Sequence, residues 1–90
     1  MLSKDDEREG LVAVARKALE QFCELTGLIP ETVSGARPEG EGWSFLVDVV
    51  ELERFPQTVS VIASYRLDTD RRGELVAYER VRRFTRVTTD

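Results

Sequence analysis

The apolar residues of this 90-residue chain recur every three or four positions up to Leu25 and roughly every second position after Trp43. That change of period restricts the fold more than any other feature of the sequence. Leu11, Val14, Ala15, Ala18, Phe22 and Leu25 share one face of a helix over residues 3–26, with Glu9, Arg16, Lys17, Glu20 and Glu24 mostly on the other. Ser3 or Asp5 can cap its first turn, where Asp5, Asp6 and Glu7 also suit the positive end of the helix dipole. Gly27 can take the left-handed conformation that ends a helix. A glycine inside a helix costs about 1 kcal/mol against alanine. Because of Gly10, residues 1–9 are therefore expected to fray or form a separate turn.

After Leu28-Ile29-Pro30 the pattern becomes that of strands. Residues 32–37 read as a short first strand weakened by Gly35, and Pro38-Glu39-Gly40-Glu41-Gly42 as an exposed hairpin connection. Residues 43–53 form the second strand, with an imperfect alternation: Phe45, Val47 and Val49 point one way, Leu46, Val50 and Leu52 the other. Either a bulge shifts the phase or both faces are covered. Phe55-Pro56-Gln57 makes the next connection. Over residues 58–68, Val59, Val61, Ala63, Tyr65 and Leu67 share one face, and Ser60, Ser64, Arg66 and Asp68 the other, with Ile62 its one apolar member. Asp70-Arg71-Arg72-Gly73 is a turn, residues 74–87 are the last strand, and residues 88–90 form a polar tail.

Short connections make successive strands antiparallel neighbours. The expected fold is α+β over residues 1–90 as a single domain: an N-terminal amphipathic helix packed on a three- to four-stranded antiparallel meander sheet. No apolar run reaches the roughly 20 residues that span a bilayer, and the N-terminus lacks the plan of a signal peptide. The one cysteine, Cys23, cannot form an internal disulfide, so a cytoplasmic location is the default.

The inventory for catalysis is poor. The chain has no histidine, the commonest general base and metal ligand. Asp68-Thr69-Asp70 lacks the remaining ligands of a calcium loop and is followed by Arg71 and Arg72. Cys23 has no activating neighbour and reads as a small packed residue. Glu51 and Glu53 share a strand face and read as solvated carboxylates flanking Arg54. Gly40-Glu41-Gly42 is too acidic to cradle phosphate. No catalytic, cofactor-binding or metal-binding residue is assigned, and no cofactor is expected.

Charge is distributed unevenly. The net charge is −4, and residues 1–45 hold five Lys and Arg against nine Asp and Glu, whereas residues 46–90 hold eight of each. Most arginines lie near the end, where Tyr78, Arg80, Arg82, Phe84 and Arg86 would share one face of a regular strand, and Glu79, Val81, Arg83 and Thr85 the other. Arginine and aromatic residues are enriched at interface hot spots. This face, with Trp43 nearby if exposed, is the candidate partner-binding surface; it equally suits a solvated outer face whose arginines stack on the aromatics and pair with glutamates of the adjacent strand. Trp43 also suits the core beside the Pro38–Gly42 turn. The alternative is a regulatory protein that binds nucleic acid through the same arginines, which the acidic balance disfavours.

Four stretches carry a family resemblance. They are Glu24-Leu25-Thr26-Gly27, the run Gly42-Trp43-Ser44-Phe45-Leu46-Val47-Asp48-Val49-Val50-Glu51-Leu52-Glu53-Arg54-Phe55-Pro56, then Ala63-Ser64-Tyr65-Arg66-Leu67-Asp68, and Gly73 through Tyr78 to the basic, aromatic run ending at Phe84. In this order and spacing, the chain from Ala15 to Arg86 resembles the gas vesicle protein O family. The resemblance implies a non-enzymatic accessory role in gas vesicle formation, in the cytoplasm or on the vesicle. The implied partners are the shell protein or other accessory gas vesicle proteins. It also implies a short member, without the long charged N-terminal extension that many members carry. A homodimer through the face of Leu46, Val50 and Ile62 is a further expectation, because those residues otherwise lack cover.

Overall fold

The computed structural model describes residues 4–53 and 59–87. One helix, α1 (Lys4–Thr26), precedes four strands: β1 (Pro30–Glu39), β2 (Gly42–Glu53), β3 (Val59–Thr69) and β4 (Leu75–Val87). The strands make one antiparallel sheet in the order β1-β2-β3-β4, the meander that short connections dictate. The expected α+β architecture holds, with four strands. Ser3, the connection Phe55-Pro56-Gln57 and the tail at 88–90 lie outside the described residues.

α1 runs from Lys4 through Gly10 without a break, so residues 4–9 continue the helix in place of a separate turn. Its C-terminus closes at Gly27, whose φ of 75° lets its N–H reach the Cys23 carbonyl at 2.8 Å. The Thr26 hydroxyl donates to the Phe22 carbonyl at 2.7 Å and accepts from the Leu28 N–H at 3.1 Å, which satisfies two more groups at the helix end. Ala18 and Phe22 are fully buried against Phe45, Val47, Val49 and Leu67, with Leu11, Val14, Ala15 and Leu19 packed around them. Leu25, expected on the same face, is 64% exposed. It lies about 60° around the helix from Phe22 and lines an open cleft with Gln21, Glu24 and Leu75.

Polar contacts fix the helix on the sheet. The Gln21 amide nitrogen donates to the Gly73 carbonyl at 2.8 Å, and its oxygen accepts from the Leu75 N–H at 3.1 Å. Lys17, assigned above to the wet face, lies 2.7 Å from the Glu74 carboxylate and also reaches the Arg72 carbonyl.

Five residues stand outside the one-to-one strand pairing: Glu31 and Ser34 on β1, Glu51 on β2, and Val76 and Val81 on β4. A bulge at Glu51, one of the two explanations offered for the imperfect alternation of β2, does not account for Leu46 and Val50. It follows Val50, so Leu46 and Val50 do face away from the helix, paired with Arg66 and Ile62. β1 extends beyond residues 32–37 to begin at Pro30 and include Pro38, because an edge strand tolerates residues that lack an N–H. Gly42 is buried at the start of β2, where a Cβ would collide with the Thr69 carbonyl oxygen.

Candidate protein-binding site on the last strand

The bulge at Val81 corrects the expectation that Tyr78, Arg80, Arg82, Phe84 and Arg86 share one face. Directly opposed residues of antiparallel strands point the same way. Tyr78 opposes Leu67 and Arg80 opposes Tyr65, both on the helix side. Beyond Val81, Arg82 opposes Ser64, Phe84 opposes Ile62 and Arg86 opposes Ser60. These three point away from the helix. One extra residue thus divides the predicted surface into two, on opposite sides of the sheet.

On the helix side, Tyr78 packs at the end of α1 with its ring 5.7 Å from Phe22, edge to face, and 6.4 Å from Tyr65. Arg80 lies 3.4 Å from one carboxylate oxygen of Glu51, and Arg83 lies 3.2 Å from the other. The Tyr65 hydroxyl donates a long hydrogen bond of 3.5 Å to the same carboxylate. Burial raises the pKa of that hydroxyl, and the Glu51 charge adds to the effect, so Tyr65 stays protonated as a donor. Glu51 is no solvated carboxylate: its side chain is only 16% exposed beneath two arginines. Its partners lie far along the chain on other strands, and nothing local in the sequence marks them.

On the opposite side, the Arg82 guanidinium sits 4.7 Å above the ring of Phe84, within cation–π range. Among the described residues, no carboxylate pairs with Arg82. Arg86 pairs with Glu31 across the sheet. Ser64 and Asp48 hold each other on this side through a 2.6 Å hydrogen bond.

Trp43 joins neither group. It is half-buried against the core at the opposite end of β2, opposing Pro38 and Thr69, and Phe45 beside it is buried. Ile62, named above as part of a dimer face, is 2% exposed between Val50 and Phe84, so only Leu46 and Val50 of that set remain half-open. Cys23 is half-buried and unbonded to another cysteine. Among the described residues no three His, Cys, Asp or Glu side chains gather as a metal site. No described helix is long and apolar enough to cross a membrane.

The family model described as gas vesicle synthesis protein GvpO matches residues 2–90. Gas vesicle protein O of a Streptomyces species is 46% identical over 77 residues, covering 86% of this chain and 60% of that protein. Gas vesicle protein O1 of Halobacterium salinarum is 35% identical over 74 residues, covering 80% of this chain and 58% of that protein. The chain therefore spans less than two thirds of either relative's length. No solved structure matches.

Proposed function

The chain belongs to the gas vesicle protein O family, and from that membership we propose that it serves gas vesicle formation as a non-enzymatic accessory protein. It acts through contacts of β4 with another gas vesicle protein, a shell or accessory component, in the cytoplasm or at the vesicle. The observation that carries this reading is Arg82 stacked on Phe84, on an exposed stretch of an edge strand. A flat cation over an aromatic ring offers buried apolar area and an arginine fork that suits a partner carboxylate.

The nucleic-acid alternative draws less support. Arg80 and Arg83 are engaged by Glu51, and Arg86 by Glu31, so three of the four arginines at positions 80, 82, 83 and 86 already sit against carboxylates of this chain. Phosphate would have to displace or tolerate those charges.

A pull-down of the tagged chain against each co-encoded gas vesicle protein, at low and high salt, tests the proposal. One defined partner is captured by the parent, and Arg82→Glu loses it while keeping the parental circular dichroism spectrum. Unchanged capture by the folded variant would remove Arg82 from the contact. Nucleic acid in the eluate, lost steeply with salt, would put the regulatory reading first.

A further inference from the structure

α1 ends at Thr26, and beyond it the helix side of β4 presents a graded surface. At one end, Leu25 and Leu75 line an open cleft of about 340 Å3 together with Gln21 and Glu24. Tyr78 comes next along the strand, 41% exposed. Arg80 and Arg83 follow, and a second shallow cleft of about 470 Å3, lined by Val61, Arg83, Phe84 and Thr85, opens beside them. At about 3.3 Å per residue, β4 from Leu75 to Arg83 runs for roughly 26 Å, the length of about 17 residues of α-helix.

The two ends differ in what they lack. Leu25 and Tyr78 are exposed and Leu75 is half-buried beside them. Among the described residues, Arg80 and Arg83 share one carboxylate, Glu51, two positive charges to one negative. Two guanidinium groups carry about ten N–H donors, while a single carboxylate offers about four acceptor sites, so the pair can take further acceptors. Glu51 itself displays the chemistry these arginines accept. Glu24 borders the apolar end and repels acids placed there.

We propose that this margin docks an amphipathic α-helix from a partner protein, its apolar stripe on Leu25, Leu75 and Tyr78 and its carboxylates on Arg80 and Arg83. The surface lies on the helix side of the sheet, opposite Arg82, and meets the Arg82–Phe84 face only where Phe84 lines the cleft beside Arg83. A nucleic acid suits it less, because Glu24 and Glu51 would face the phosphates.

Fluorescence anisotropy on the whole chain tests this with labelled synthetic peptides of about 18 residues. One is an amphipathic helix with a leucine stripe and glutamates clustered at one end. The second carries lysines in place of the glutamates, the third has the same composition in scrambled order, and a single-stranded oligonucleotide is the fourth probe. The acidic helix binds better than the other three. Arg83→Glu weakens it about tenfold, Arg83→Gln weakens it less, and Arg82→Glu leaves it unchanged. Each variant is first checked for the parental melting transition, and the size-matched Arg83→Gln decides the matter should Arg83→Glu fail to fold. Amide shifts on titration concentrate at Leu25, Tyr78 and Arg83. No binding of the acidic helix, equal binding of the lysine or scrambled peptide, preference for the oligonucleotide, or indifference to the folded Arg83 variants would overturn the proposal.

Discussion

Arg86 on β4 reaches Glu31 on β1, its Nη1 at 3.1 Å and its Nη2 at 3.4 Å from the two carboxylate oxygens. These are the outer strands, so the pair spans β2 and β3. Glu31 is free to do this because it stands at a bulge, and Glu51, which holds Arg80 and Arg83, stands at another. The glutamates that leave the ladder are the ones that meet the last strand's arginines.

Both partners of the Arg86 pair are close to half exposed, with side-chain exposures of 47% and 42%. Such pairs contribute about 0–1 kcal/mol. Glu31→Ala is expected to lower unfolding free energy by about 0.5 kcal/mol in low salt, with the loss vanishing in high salt. Urea melts at the two ionic strengths measure it. A salt-independent loss would mean that Glu31 acts through the shape of β1 instead.

Glu51 should matter more. Its removal leaves Arg80 and Arg83 facing each other and the Tyr65 hydroxyl without its acceptor. Glu51→Ala is expected to cost about 1–3 kcal/mol, from the unmet donors and the like-charge contact. Comparing urea midpoints of the Glu31 and Glu51 variants checks the order of the two effects.

Gly42 tolerates no side chain. A Cβ there meets the backbone carbonyl of Thr69, which cannot move without disturbing the β2–β3 ladder. Gly42→Ala is expected to destabilise by about 3 kcal/mol or more. Gly10→Ala, where the added Cβ meets nothing within 4 Å, should stabilise by about 0.5–1 kcal/mol. Thermal melts of both variants give the sign and the contrast.

The Asp70 carboxylate accepts from the N–H groups of Glu74 at 3.0 Å and Arg72 at 2.8 Å. The Glu74 hydrogen bond foremost, with smaller help from Arg72 and Lys17, lowers its pKa below the ordinary carboxylate value. A lowered folded pKa stabilises the fold above the unfolded pKa, about 3.9, and that contribution fades as pH falls through the folded value. Asp70→Asn should therefore be less stable than the parent at pH 7, with the gap closing on acidification. Stability curves of the two proteins that stay parallel below pH 4 would exclude this linkage.

The parts of the fold that were legible are those encoded by local chemistry. The end of α1 follows from Gly27, and the clean alternation of β3 placed Val61, Ala63 and Leu67 in the core, where all three are buried. The division of β4 was not legible. Tyr78 to Phe84 reads equally well as a regular strand or with Val81 set outside the ladder, because no glycine or change of polarity marks a bulge there. The Glu51 cluster escaped for a different reason. Glu51 and Arg80 are 29 positions apart, and only the register of three strands brings them together. Nothing local in the sequence sets Gln21 apart either, although both ends of its amide serve the β3–β4 connection.

That last contact has a consequence for how the chain is made. Gln21 waits for Gly73 and Leu75, partners 52 and 54 positions later, and Phe22 beside it waits for Tyr65 and Tyr78. A ribosome therefore releases α1 long before the surface that receives it exists. Until the β3–β4 hairpin emerges, the apolar stripe of α1 is open to solvent and to other nascent chains, the period in which aggregation competes with folding. Translation speed through the codons of β3 and β4 thus sets how long the helix stands unattached.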